Sequence, residues 1–270
     1  MIRIKKINKH VVTPIDVPTI EPENIKGYDL IPKLYCAMFI CAKKESGKTN
    51  TIFKILKECT GKKTHLYIIS STVFNDPNWE AIVNHFEKKG INMTVSTSLE
   101  EAGIPQKVDE LIEEAKQEME SKKNKVKNPE VPKKVNLFVT EEAKPERKPK
   151  KVAPEYIFVF DDMSHDLQDK SIATLIKKHR HFKTKIICSS QHINDLRPEA
   201  RKNIDIFILF HGHSNDKLEE LYKKNLDLRI PFDLFIKLYE NATSKPYSFL
   251  YVDKNKPEFR RNFDCEYQIV

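Results

Sequence analysis

Residues 42–50, AKKESGKTN, carry the pieces of a phosphate-binding loop. In the pattern G-x-x-x-x-G-K-S/T, backbone amides and the start of a helix converge on a polyphosphate. The lysine reaches the β- and γ-phosphates and the hydroxyl binds Mg2+. Gly47, Lys48 and Thr49 fill the last three places here, and Asn50 follows them. Ala42 stands where the first glycine is usual, with Lys43, Lys44, Glu45 and Ser46 in between. A methyl group fits at that turn wherever φ stays negative, whereas a side chain at Gly47 would crowd the phosphate. The loop is therefore expected intact, holding ATP with Mg2+. Glu45 sets a carboxylate beside that charge, so its side chain is expected to point outward. A chance SGKT in a turn is the competing reading, and the strand and helix on either side weigh against it.

Two further stretches put polar groups at strand ends. YIFVFDDM runs an apolar strand into Asp161 and Asp162, the arrangement of a Walker B strand. Asp161 is expected to bind Mg2+ through water, and Asp162 to orient or deprotonate the attacking water. Glutamate is usual at that second place; aspartate is shorter, so the water must sit closer. The competing reading is that Asp162 only caps the following turn. KIICSSQ ends in Gln191, whose carboxamide can contact the γ-phosphate or the attacking water. Arg180, in KKHRHF, comes before that strand begins. It is expected at the sheet edge opposite Gln191, out of reach of its own nucleotide but within reach of a neighbour's, as an arginine finger in a ring. A plain surface charge is the alternative for Arg180, and His179 and His181 read as packing or surface residues.

The elements that must position these groups follow from the hydrophobic pattern. LYCAMFICA (34–42) is a continuous apolar run ending at the loop, a strand buried on both faces. KTNTIFKILKEC follows at helical spacing, and Gly61 punctuates its end. HLYIISST (65–72) reads as a second buried strand, PNWEAIVNHFEKK (77–89) as a helix opened by proline, and NMTVS as a short strand. KVDELIEEAKQEMES is expected to be an exposed acidic helix. Beyond it come the strand YIFVF, the helix LQDKSIATLIKKHRH and the strand KIICSSQ (185–191). LRPEARKN is a short helix or turn, IDIFILF (204–210) a strand, and helices near 215–225 and 231–241 lead to the strand YSFLYVD (247–253). Strands alternating with helices imply a mostly parallel sheet covered on both faces.

Composition bounds the function classes. The 270 residues, 39 % hydrophobic, are enough for one large α/β domain or two small ones. No apolar run approaches the ~20 residues of a membrane span, and MIRIKKINKH has no apolar core or cleavage site for a signal peptide. Five cysteines form no C-x-x-C pair; Cys36, Cys41 and Cys188 lie in apolar runs, as buried thiols of a reducing compartment do. The histidines are not paired with cysteines at ligand spacing, which weighs against zinc. Of the net charge of +8, residues 121–151 hold +7, from 11 Lys or Arg against 4 Glu. That Pro- and Lys-rich segment reads as a disordered basic insertion within a single domain spanning 1–270, either a solvated linker or an arm for nucleic-acid phosphates.

AKKESGKT, FVFDDM, HRHFKTKIICSSQ and LRPEARKNIDIFILF together resemble the genome-packaging ATPases of large DNA viruses, the poxvirus-type branch of the FtsK–HerA translocases. The likeness covers most of residues 30–212. It implies a three-layer α/β P-loop NTPase whose mostly parallel central sheet is flanked by helices, with the Gln-bearing strand between the P-loop and Walker B strands. It implies Mg-dependent ATP hydrolysis, a homo-oligomeric ring, and pumping of double-stranded DNA into a preformed capsid. Capsid or portal proteins would be partners, and the host cytoplasm (the viral factory) and the virion the location. By this resemblance Arg180 is the trans finger, Gln191 the sensor, and Arg197 and Arg201 secondary candidates for subunit or phosphate contacts. Ala42 and Asp162 depart from the family pattern, which bears on turnover more than on fold.

Other readings compete. A GTPase needs an N-K-x-D base-reading motif, which is absent, and a small-molecule kinase needs an acceptor site and lid, neither of which is recognisable. A nucleotide-dependent virion assembly factor with weak turnover is kept in play by Ala42, Glu45 and Asp162. Another P-loop DNA translocase or helicase-like ATPase is the remaining alternative.

Overall fold

The structure is a computed structural model that describes residue 20 and residues 22–127, 151–226 and 228–269, with the backbone alone over 122–127. Its strands are β1 (Cys36–Cys41), β2 (His65–Ser70), β3 (Met93–Ser96), β4 (Tyr156–Asp161), β5 (Thr184–Ser190), β6 (Ile206–Phe210), β7 (Phe249–Asp253), β8 (Glu258–Arg261) and β9 (Cys265–Glu266). Its α-helices are α1 (Lys48–Cys59), α2 (Pro77–Glu87), α3 (Ile104–Lys127), α4 (Lys170–Lys178), α5 (Pro198–Arg201), α6 (Asn215–Leu221) and α7 (Phe232–Ala242). The strands form one nine-stranded sheet in the order β3-β2-β4-β5-β1-β6-β7-β8-β9. The first six in that order run parallel, and β7, β8 and β9 each run antiparallel to the strand before.

Alternation along each central strand splits the core in two. Ala37, Phe39 and Cys41 face a cluster with Phe158, Ile186 and Phe207, covered by Leu111 of α3, Leu175 of α4, Leu218 of α6 and Phe235 of α7. Cys36, Met38 and Ile40 face the other side, against Ile52, Ile55 and Leu56 of α1 and Trp79 and Phe86 of α2. This is the three-layer arrangement expected from strands that read as uninterrupted apolar runs. Each fully buried aliphatic or aromatic side chain in these layers contributes roughly 1.5–3 kcal/mol of transfer free energy. The register levels the strand ends, since Cys41 pairs with Ser190 and Asp161 with Ser189. Every parallel strand therefore delivers the residue after its C-terminus to one edge, the place where α/β sheets bind ligands.

Three expectations are corrected. Helix α4 begins at Lys170 rather than 167, because Asp169 is extended and its carboxylate accepts the Ser171 amide at 2.6 Å, a capping arrangement. Helix α3 continues to Lys127, so the segment expected as a loop over 121–151 starts as helix, while residues 128–150 lie outside the described residues. The chain after residue 212 adds two short strands, β8 and β9, that the pattern did not suggest. Four of the five cysteines are buried, Cys36, Cys41, Cys59 and Cys188. Burial pushes the Cys36 and Cys41 thiols up to about 12, which makes them packing groups. Among the described residues no helix is long and apolar enough to cross a membrane.

Candidate nucleotide-binding site

β1 hands the chain to the loop at Ala42, which is buried and whose amide donates to the Ser190 carbonyl at 3.1 Å. Ala42 is not among the residues with positive φ, so the methyl group meets no backbone penalty and the missing glycine costs the turn nothing. Glu45 does adopt a left-handed conformation, φ 60, and is exposed, which carries its carboxylate outward as expected. Lys43 and Lys44 are exposed, Ser46 is half-buried, and the buried Ser46 Oγ has no hydrogen-bond partner. Gly47 precedes α1 with φ 92, a conformation that favours glycine, and no side chain caps the helix. The first backbone bond of the turn closes at the Thr51 amide on the Gly47 carbonyl, 3.1 Å, so the amides before it are left for a ligand. An uncapped helix start with an idle hydroxyl in its loop is a ready anion site.

The Walker B acids sit two strands away, across β5. Lys48 is 9 % exposed, and its Nζ lies 3.4 Å from Asp161 Oδ1 and in contact with Asp162 Oδ2. Asp161 Oδ2 accepts the indole N–H of the fully buried Trp79 at 3.2 Å, which ties α2 to the site. Asp161 Oδ1 faces the Lys48 ammonium, and the buried Ser189 hydroxyl stands on the residue of β5 paired with Asp161. Burial pushes the Asp161 pKa upward and the Asp162 charge adds to this, against the opposing pull of the Lys48 charge and the Ser189 and Trp79 hydrogen bonds. A buried carboxylate oxygen held at the phosphate end of the sheet and balanced by the Lys48 charge fits a Mg2+ with its water shell, which would favour the ionised form. Thr49, half-buried in the first turn of α1, is the other group that could hold a metal here. Asp162 has φ 53 and a side chain 36 % exposed.

Gln191 is exposed immediately after β5, and its carbonyl accepts the Cys41 thiol at 3.4 Å. It stands between the loop and the acids in strand order, as the family resemblance implied. Asn50 is exposed on the first turn of α1. Arg180 lies at the other edge of the sheet, 67 % exposed, with one guanidinium nitrogen 3.3 Å from Asp205. It is therefore not brought together with Lys48, Asp161, Asp162 or Gln191 within this chain. Arg197 donates to the Gln168 carbonyl and Arg201 Nε to the Leu196 carbonyl at 2.7 Å, so both lock the turn after Gln191.

Three neighbours of the site carried no local signal. Trp79 reads as a core residue on an amphipathic helix, and only the fold reveals its bond to Asp161. His213, after β6, reaches the Cys41 carbonyl through Nε2 at 3.2 Å, and burial lowers its pKa. Gly212, with φ 101, lets the Lys43 side chain lie across it; a Cβ there would come within 3.2 Å of Lys43 Cδ.

The fold and the site define a class: the chain has the three-layer α/β architecture of P-loop NTPases, with acids, glutamine and loop on the neighbouring strands β4, β5 and β1 in that order. The solved structures it resembles include viral ones. B204, the DNA-packaging ATPase from Sulfolobus turreted icosahedral virus, superposes with a TM-score of 0.51 at 14 % identity, over 87 % of this chain and 98 % of that one. The genome-packaging NTPase B204 of Sulfolobus turreted icosahedral virus 2, in complex with ATP-gammaS, gives 0.47 at 16 % identity, over 84 % and 96 %. At such identities the likeness is one of fold. Uncharacterized protein 075L of Invertebrate iridescent virus 6 is 29 % identical over 105 residues, 38 % of this chain and 40 % of that protein, so the match spans less than half of the relative. No protein-family model matches the chain.

Proposed function

We propose that the protein is a Mg-dependent ATPase of the FtsK–HerA type that moves double-stranded DNA, and that its task is to package a viral genome into a preformed capsid. The observation that carries this is Lys48 held between two strand-end acids beside an uncapped helix start, on a fold shared with a DNA-packaging ATPase. In this reading the amides of residues 42–50 and Lys48 bind the phosphates. Thr49 and Asp161 hold Mg2+, which draws charge from the γ-phosphate when bound. A phosphate at the loop competes with Asp162 for Lys48, and the released carboxylate is then the base for the attacking water. Gln191, exposed at the end of β5, would contact that water or the γ-phosphate as the sensor.

Copies of the chain form a ring, with Arg180 of each reaching the next subunit's nucleotide. Capsid or portal proteins anchor the ring, in the host cytoplasm during assembly and in the virion afterwards. The assembly-factor reading draws on the Lys48–Asp162 contact, which keeps base and phosphate cation engaged with each other. DNA-stimulated ATPase activity separates the two. A motor should hydrolyse ATP faster by tenfold or so when duplex DNA is added, and Lys48→Ala should abolish ATP binding. A rate indifferent to DNA would support the assembly factor, and unchanged ATP affinity in Lys48→Ala would overturn the site itself.

A further inference from the structure

We propose that Tyr247 is the base platform of this site, with a purine seated between its ring and the first turns of α1. The reversal of the sheet puts it there. β7 runs antiparallel to β6, with Phe249 opposite Phe210, so the residues just before β7 arrive at the edge that carries the phosphate loop. Tyr247 is 72 % exposed and has φ 61, an outlier for a bulky aromatic residue. Such a conformation held on an exposed ring points to a role for that ring rather than for the core. The ring lies against the loop itself: a Cβ on Gly47 would stand 3.2 Å from Tyr247 Cδ1.

Beside Tyr247 is an open cleft of about 400 Å³ lined by Gly47, Asn50, Thr51, Lys54, Phe249 and Phe263. Phe249 and Phe263 meet edge to face at 5.0 Å and form an apolar floor. Lys54 is drawn to Glu58 at 3.0 Å, and Asn50 is exposed on the helix, its carboxamide making no hydrogen bond among the described residues. An aromatic wall, an apolar floor and one carboxamide make a site for a flat heterocycle, and a carboxamide that both donates and accepts matches the N6–N7 edge of adenine better than the two acceptors of guanine. A triphosphate on the helix start would place its nucleoside along this side, because the acids and Gln191 occupy the other.

This rests on the phosphate-site reading, and the test keeps the two apart. Binding of Mg-ATP, Mg-GTP and Mg-tripolyphosphate is measured by calorimetry for the parent chain and for Tyr247→Phe, Tyr247→Gly, Asn50→Ala and Lys48→Ala. Glycine suits the left-handed backbone at this position, so Tyr247→Gly is expected to fold, which a thermal melt checks. Tyr247→Gly should lose ATP affinity by roughly ten- to hundredfold, the usual worth of stacking on one base, with tripolyphosphate unchanged. Tyr247→Phe should bind like the parent, and Asn50→Ala should erase a preference for ATP over GTP. Lys48→Ala should lose both ATP and tripolyphosphate. Parent-like ATP binding by Tyr247→Gly, or an equal loss of ATP and tripolyphosphate, overturns the platform while leaving the phosphate site standing. A parent chain that binds neither ligand brings down both.

Discussion

Asp162 works from a backbone conformation that selects its residue type. Its φ of 53 lies in the left-handed region immediately after β4. An ordinary side chain there costs about 1–2 kcal/mol, while aspartate and asparagine enter the region more readily. That is a physical reason for the shorter acid at a place where glutamate is usual. Asp162→Asn should therefore keep the fold and bind ATP, yet hydrolyse it roughly 100- to 10,000-fold more slowly for want of a base. Asp162→Glu retains the charge but should lose about 1 kcal/mol, lowering the melting midpoint by roughly 2–4 °C. Steady-state rates and thermal melts on the two variants decide it: parent-like turnover in Asp162→Asn would reduce Asp162 to a turn residue. At this scale the spacing of GKT and of the DD pair named the groups. It was silent on the Lys48–Asp162 contact, because that contact depends on how far apart two strands lie in the sheet.

The strands are fastened at both edges, and the edge away from the phosphate loop depends on one acid. Asp205, just before β6, accepts the Ala37 amide of β1 at 3.0 Å and the Asn255 amide nitrogen after β7 at 2.6 Å. His179 Nε2, on the approach to β5, stands 3.1 Å from Oδ2, the oxygen that takes the Ala37 amide. Burial alone would raise the Asp205 pKa, but the His179 and Ala37 hydrogen bonds with the charges of His179 and Lys33 outweigh it and hold the carboxyl down to about 2. A folded-state pKa below the unfolded value of 3.8 gives stability that is present above that value and lost as the pH falls through about 2. The linkage is on the order of 2 kcal/mol. Asp205→Asn should thus be less stable than the parent at pH 7, with the gap closing between pH 4 and pH 2 in denaturant titrations. A gap that stays constant over that range would mean the ionised form is not what fastens the edge. The elements themselves were largely legible, because parallel strands buried on both faces read as apolar runs and the helices as 3.6-residue stripes. The antiparallel turn of β7, β8 and β9 was not, since direction is set by pairing with β6 and not by any local pattern. The length of α3 escaped for another reason: its Lys-rich end suits a helix as well as a solvated loop.

The whole molecule leaves one expected site residue outside its own site. Arg180 is 67 % exposed at the edge opposite the phosphate loop, steadied by Asp205 at 3.3 Å, and cannot complete the site it shares a chain with. In a ring it would meet the nucleotide of the adjacent subunit, where a guanidinium stabilises the charge that spreads over the transferred phosphoryl group. Arg180→Ala should then bind ATP like the parent and hydrolyse it roughly a thousandfold more slowly. Position within the chain cannot distinguish a trans finger from a residue that steadies its own sheet edge, but mixing can. Arg180→Ala subunits keep an intact phosphate loop, and Lys48→Ala subunits keep an intact arginine. When the two co-assemble, some interfaces join a working loop to a working arginine, so ATPase activity should rise above that of either variant alone and peak near equal proportions. A residue acting in cis gives no such recovery, since no subunit in the mixture holds both groups. Co-assembly is checked by pulling down one tagged variant with the other. Mixtures that assemble without recovering activity would assign Arg180 to the sheet edge, and a chain that stays monomeric with ATP and duplex DNA while hydrolysing at the full rate would end the ring model.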